Sequence, residues 1–473
     1  DEDTASFVVV DTRHSPQSRL QPDPITDVLI ADLFWAPRIA TTRTVTLPSQ
    51  YEQCEVSGRI DNFRRAAGRK QIAFQGRFYN DSDVYKWLEA ASYALATQPD
   101  PKLEQTVDAL IDDIAAAQGA DGYLNTYFTF DRAQERFTNL VRMHEMYCAG
   151  HFIQAAVAHH RATGKRTALD VAVRLANYLC AVFGPSGKAG TDGHEQIELA
   201  LVELYRATGD RTYLERAQFF LDQRGQQPPV LDGSDYLQDR LPVREQRDVV
   251  GHAVRATYLA CGMVDVYLET GEEALWLAAR RLWESAFVRK AYITGGLGAR
   301  HEGEAFGDDY ELPNESAYAE SCAAIGSVFW NWRMLQHSGE ARFADALETS
   351  LYNGALAGLS LSGDQYFYVN PLADRGNHRR QAWFDCACCP PNLSRLLMSL
   401  PGYVASTSNE GVWIHLYAAG VMTARLANDE LLRLRVETEY PWDGAVRLTV
   451  EEAPSVVALS LIHISEPTRQ AEI

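Results

Sequence analysis

From about residue 80 to about residue 400 the apolar positions recur at helical spacing, and the pattern comes in units. Each unit is an apolar helical stretch, a Thr-Gly or Ser-Gly stop, and a second amphipathic helix. One runs from Glu145 through Ala162-Thr163-Gly164 into 168–179. The next runs from His194-Glu195 through Thr208-Gly209 into 213–221, another from His252 through Thr270-Gly271 into 274–286, and another from Ala319 through Ser338-Gly339 into 343–351. A glycine after the last apolar turn fits a left-handed helix stop. The stops lie 45, 62 and 68 positions apart, so insertions of unequal length separate the hairpins. Segments 83–95 and 106–117 make an earlier pair. A helical hairpin that cannot bury a face alone must stack or close on its neighbours, and about six fit here. The pattern predicts a mainly α protein, an (α/α)6 toroid over 51–408.

Beyond Gly411 the period changes. Residues 412–417, 431–438 and 445–451 show much apolar/polar alternation with β-branched and aromatic enrichment, which predicts strands. We assign 409–458 to the start of a β-sandwich that ends truncated, and 1–50 to an extended segment packed on the toroid. The last residues, 459–473, resemble a translated sequencing adapter and are read as non-native, so His463 is given no role. The chain opens at Asp1 with neither Met nor a signal peptide. A cytoplasmic location is the expectation, with the natural N-terminus missing.

Composition narrows the partners. Among 473 residues 46% are hydrophobic, ample for a large core, and no apolar run approaches the ~18 residues of a membrane span. The formal charge of −19 disfavours nucleic acid and anionic membranes. The glycine-rich stretch 294–298 lacks the strand–turn–helix setting and the Lys of a phosphate cradle. Cys54, Cys148, Cys180 and Cys261 sit singly in patterned segments and read as small buried hydrophobes in a reducing compartment. Oligomeric state is left open, a homodimer among the options.

The other four cysteines carry candidate chemistry. Cys386-Ala387-Cys388-Cys389-Pro390-Pro391-Asn392 places three in four positions ahead of two prolines. Adjacent cysteines rarely bridge each other, so a soft metal or a reactive thiolate is the natural reading. Upstream, Glu320-Ser321-Cys322 offers a carboxylate and a thiol two positions apart. Glu320, Cys322, Cys388 and Cys389 make a four-ligand set suited to Zn2+, structural or catalytic, with Cys386 left over. The acid-rich run from Glu302 to Glu315 ends shortly before this set. His144, His194 and His252 recur at similar positions in successive units and suggest residues lining one funnel, whereas His151 has no such pattern.

Several motifs occur together, in order, over about residues 27 to 455. They are Phe34-Trp35-Ala36-Pro37-Arg38, Asp81-Ser82-Asp83-Val84-Tyr85-Lys86-Trp87-Leu88-Glu89, His144-Glu145-Met146-Tyr147-Cys148-Ala149-Gly150-His151, Gly303-Glu304-Ala305-Phe306, Leu312-Pro313-Asn314, Glu320-Ser321-Cys322 and the cysteine triplet. In this the chain resembles glycoside hydrolase family 127, β-L-arabinofuranosidases, with the related family 146 sharing the constellation. The resemblance implies an (α/α)6 catalytic barrel followed by β-sandwich domains, and a zinc-dependent retaining exo-hydrolase releasing terminal β-L-arabinofuranose from a small oligosaccharide or glycan end. It further implies zinc on Glu320, Cys322, Cys388 and Cys389, Cys388 as the nucleophile forming a cysteine glycosyl-enzyme intermediate, Glu304 as general acid/base, and His144, His194 and His252 binding the sugar. A hydrolase of another L-furanose-like pectic sugar, a toroidal sugar epimerase or isomerase, and a non-catalytic glycan-binding toroid with structural zinc are the alternatives.

Overall fold

The computed structural model describes residues 7–426, 430–453 and, for backbone only, 459–461. Two short strands, β1 (Gln21–Pro22) and β2 (Val28–Ile30), precede helices α1 (Trp35–Thr41), α2 (Leu47–Val56) and α3 (Arg59–Ala66). Five hairpins follow: α4 (Asp81–Thr97) with α5 (Pro101–Ala117), α6 (Glu145–Thr163) with α7 (Thr167–Val182), α8 (Ile197–Thr208) with α9 (Arg211–Gln223), α10 (Ala253–Thr270) with α11 (Glu273–Trp283), and α12 (Ser321–Ser338) with α13 (Ala341–Thr349). Helix α14 (Cys389–Ser399) packs against both α12 and α4. That contact closes the cycle α4–α6–α8–α10–α12–α14 into an inner ring. The outer helix of the sixth pair comes from the other end of the chain, where α1, the π-helical Thr42–Thr46 and α2 lie against α14.

Burial explains which helix goes inside. Helix α10 is buried at every position from Ala253 to Leu268. Helix α5 buries only Val107, Leu110, Ile111 and Ile114. That stripe at i, i+3, i+4 and i+7 is a one-sided face, worth roughly 1.5–3 kcal/mol per buried side chain. Glycines 164, 209, 271 and 339 end α6, α8, α10 and α12 at φ values of 71°, 75°, 72° and 67°, where a side chain would be strained. Most charges inside the ring are paired, because a lone buried ion is costly. Arg395 meets Glu89 at 2.9 Å, and Asp265 takes Arg206 at 2.9 Å and Arg333 at 2.7 Å.

Residues 7–20 run across the C-terminal ends of the inner helices. Asp11 N donates to Glu203 of α8 at 2.9 Å, Gln17 N to Leu268 O of α10 at 3.1 Å and Leu20 N to Gln336 O of α12 at 2.9 Å. This end of the ring is therefore sealed. The extended character expected over 1–50 stops at Ile30 in the described residues, and 35–56 is helical. Thr41, Thr42, Thr44, Val45, Thr46 and Pro48 read locally as extended, but packing on α4 and α14 overrides weak propensity.

The C-terminal strands are β3 (Ala405–Ser408), β4 (Gly411–Ile414), β5 (Gly420–Arg425), β6 (Leu431–Thr438), β7 (Val446–Glu452) and β8 (Leu459–Leu461). They form two four-stranded sheets, β1-β3-β4-β8 and β2-β5-β6-β7, so the N-terminal strands tie the sheets to the toroid. Strand β6 alternates exposed and buried along its length, with Leu432, Leu434 and Val436 inward, the period-2 signature the sequence carries. Of the suspected adapter tail only 459–461 is described; 462–473 lies outside the described residues. No helix among the described residues is long and apolar enough to cross a membrane.

Candidate active site

All six inner helices point their N-termini at the open end of the ring. Tyr79 and Ser82 at α4, His144 and Tyr147 at α6, His194 before α8, His252 and Arg255 at α10, Glu320 and Cys322 at α12, and Cys388 at α14 line one cavity of about 230 Å³. Each helix N-terminus carries a partial positive charge of about +0.5, so the shared mouth favours anions and thiolates. Two of the lining residues are non-glycines held in the left-handed region, His144 at φ 57° and Glu304 at φ 50°. Such strain persists only where the surroundings over-determine it. For Glu304 the surroundings are a tight loop in which Arg300 and Ala305 exchange two 3.0 Å backbone hydrogen bonds, pinned beside His252 by Phe306 N on Gly251 O at 2.9 Å.

At the cavity floor Glu320, Cys322, Cys388 and Cys389 bring four ligand atoms within 4.8 Å of one another. Cys322 Sγ lies 3.2 Å from Cys389 Sγ, which lies 3.8 Å from Cys388 Sγ. Glu320 Oε1 is 3.4 Å from Cys388 Sγ and 3.5 Å from Cys389 Sγ. The edges of a tetrahedral thiolate–carboxylate zinc shell are about 3.5–3.8 Å, so the donor set fits this ion in number, chemistry and spacing. Electrostatics point the same way. Burial, with the nearby Cys388 and Glu304, pushes the Glu320 carboxyl far above its usual range. Burial and the Cys322 and Cys388 thiols push Cys389 up as well. Glu320 Oε2 is buried and has no hydrogen-bond donor among the described residues. A cation at this point relieves all three.

The triplet divides by direction. Cys386 and Cys388 are half-buried and face the cavity, while Ala387 and Cys389 are buried at 0% exposure. The loop is held from below by Arg59, which donates to Asp83 at 2.9 Å and to Asp385 O at 2.8 Å. Lys86, fully buried, donates to Tyr147 Oη at 3.0 Å and to Cys388 O at 3.3 Å. Burial disfavours its charge, but the surrounding Tyr147, Tyr258, Cys322 and Cys388 shift its titration above the usual lysine range. Replacing Arg59 by Met is expected to cost about 3–5 kcal/mol, because Asp83 is left buried and unpaired. A chemical-denaturation midpoint within error of wild type rules that role out.

The histidines are neutral acceptors and donors of defined hand. His144 Nδ1 donates to Arg142 O at 2.6 Å and His194 Nδ1 to Glu195 O at 2.9 Å, which leaves both Nε2 atoms as acceptors. Burial and the neighbouring Arg255 hold both well below the usual histidine range. His252 is the converse: its Nδ1 accepts from Arg255 N at 3.4 Å, so Nε2 carries the proton and donates to Glu304 Oε2 at 2.9 Å. Burial works against the Glu304 charge, but this hydrogen bond, with others from Tyr318 and Glu320, keeps its carboxyl down at about 2. The rest of the acidic run is surface pairing, with Arg300 on Glu311 at 2.6 Å and Arg289 on Asp309 at 2.8 Å. His151 is wholly buried against Tyr147 and lines nothing.

Sequence reading named no individual tyrosine as a site residue. Tyr368 Oη lies 3.2 Å from Cys388 Sγ and 3.7 Å from Cys386 Sγ, and Tyr79, Tyr147, Tyr236 and Tyr258 complete the wall. Tyr147 had a signal, one helical turn after His144 on the same face. Tyr368 and Tyr236 come from irregular connections and had none.

Fold and site together define a closed toroid of six helical pairs with one blind, polar, sugar-sized pocket over a cysteine-rich ligand cluster. The chain belongs to glycoside hydrolase family 127: the family model for the β-L-arabinofuranosidase GH127 catalytic domain matches residues 27–402. It is similar to the non-reducing end β-L-arabinofuranosidase of Bifidobacterium longum subsp. longum, 40% identical over 426 residues, covering 83% of this chain and 64% of the relative. The chain thus spans less than two thirds of that protein's length. A solved GH127 β-arabinofuranosidase superposes with a TM-score of 0.90 at 43% identity, covering 94% of this chain and 71% of that one. The GH127 β-L-arabinofuranosidase from Geobacillus stearothermophilus T6 gives 0.89 at 43% identity, covering 92% and 74%.

Proposed function

We propose that this chain releases a terminal β-L-arabinofuranose from a glycan end with retention, using Cys388 as nucleophile and Glu304 as acid/base. The observation that carries the reading is the placement of Cys388 Sγ: it faces the sugar-sized cavity that Glu304 also lines, while its neighbour Cys389 is sunk in the core. A cavity of about 230 Å³ sealed at its far end takes one sugar ring and not a continuous polymer, which suits exo cleavage. Zinc held by Glu320, Cys322, Cys388 and Cys389 would keep the sulfur deprotonated at neutral pH and balance the charge crowded there.

The protein's own residues account for the steps. Sugar hydroxyls donate to the Nε2 atoms of His144 and His194, which orients the ring over Cys388. Glu304 and Glu320 offer oxygens within 4.8 Å of each other. Glu304 enters the reaction protonated and delivers that proton to the departing oxygen while Cys388 Sγ takes the anomeric carbon. Tyr368 Oη, 3.2 Å from the sulfur, steadies the thiolate as it leaves the resting position. In the second step Glu304, now the carboxylate favoured by His252, deprotonates water, which displaces the sulfur and restores the thiolate. The two carboxyl groups usual in retaining glycosidases are here one carboxyl and one thiolate.

Glu304→Gln tests the proton role. We expect turnover of an alkyl β-L-arabinofuranoside to fall by about 10²–10⁴-fold. Glycosylation by an aryl substrate with a good leaving group should be nearly spared in a pre-steady-state burst. Equal losses for both leaving groups would remove Glu304 from the acid role.

A further inference from the structure

Lys86 is the least expected residue at this site. Its side chain is fully buried, and among the described residues it forms no ion pair with Asp or Glu, unlike the buried Arg59, Arg206, Arg333 and Arg395. Its two acceptors are a tyrosine hydroxyl and the carbonyl of Cys388. A lone charge in the core is costly unless something of opposite sign offsets it. The ligand cluster has the complementary excess: three thiolates and one carboxylate around a divalent cation leave a net charge of about −2, walled in by the same inner helices. Lys86 sits on α4 and the cluster at the starts of α12 and α14, and α14 closes the ring by packing on both α4 and α12.

We infer that Lys86 is the counter-cation of the cysteine-rich centre, a positioning residue that acts on zinc through its charge and through its grip on the Cys388 backbone. The inference rests on the zinc reading above. It also accounts for Tyr147: because that oxygen accepts from Lys86, its own proton is turned toward the cavity, where it is available to a sugar oxygen.

The test is the zinc dissociation constant, measured by competition with a chromophoric chelator on purified protein, for wild type, Lys86→Met, Lys86→Gln and Tyr147→Phe. Gln keeps a hydrogen-bond donor and loses the charge, whereas Phe at 147 keeps the charge and loses one acceptor. Both Lys86 variants are expected to bind zinc about 10–100-fold more weakly, and Tyr147→Phe to change by less than about 3-fold. A Gln variant with wild-type affinity overturns the counter-cation role, as does a Tyr147→Phe loss equal to that of Lys86→Met. Thermal melting checks folding; if the Met variant does not melt cooperatively, the Gln variant decides against wild type. Wild-type protein that fails to compete for zinc overturns the metal reading itself, and this inference with it.

Discussion

Cys388→Ala is expected to fold and to lose turnover on a β-L-arabinofuranoside by more than about 10⁴-fold, the scale seen when a covalent nucleophile is removed. The fold should tolerate the change because Cys388 is half-buried at the N-cap of α14, and the loop stays anchored by Arg59 and Lys86. Cys388→Ser is expected to be nearly as inactive. A serine hydroxyl has the shape of the thiol, but at neutral pH it is almost wholly protonated and it is a poor zinc ligand. The corresponding changes at Cys386 should cost far less, since Cys386 lies outside the four-ligand group although it faces the same cavity. Measured kcat close to wild type for Cys388→Ala would sink the nucleophile assignment and leave the pocket as a binding site.

The second large effect concerns the ligand cluster. Elemental analysis should find about one zinc per chain. Stripping it is expected to abolish turnover and to lower the melting midpoint, with both restored when zinc is returned. The direction follows from linkage: an ion bound by the folded chain and not by the unfolded one stabilises it by about 1.4 kcal/mol for every tenfold excess over its dissociation constant. Without the cation, Glu320 and Cys389 are left buried among like charges, and both titrate far above their usual ranges. Fully active protein shown to be metal-free would refute the mechanism.

Much of this architecture was legible because local rules and the global fold agree. The Gly stops at 164, 209, 271 and 339 are set by backbone sterics that any window of sequence reports. The one-sided stripe of α5 and the alternation of β6 are equally local. The N-terminal helices were not legible, because a Thr-rich run with Pro48 becomes helical only against α4 and α14. Nor was Tyr368, which reaches Cys388 from an irregular connection. Lys86 lies inside a recognisable motif, yet nothing in the motif says that its ammonium is buried without a carboxylate.

By itself the sequence determined the residue types, five of the six helical pairs and the presence of a Glu-x-Cys and a Cys-x-Cys-Cys motif, since composition and short-range periodicity suffice for these. Tertiary structure alone decided which sulfurs face the cavity. Cys322 and Cys388 are 66 residues apart, and only closure of the ring by α14 brings them together. That closure is an outcome of burying apolar faces from the whole chain at once, a long-range term that no local pattern encodes. It also aims six helix N-termini at one mouth, turns Cys388 toward the cavity and Cys389 into the core, and sets Glu304 beside His252.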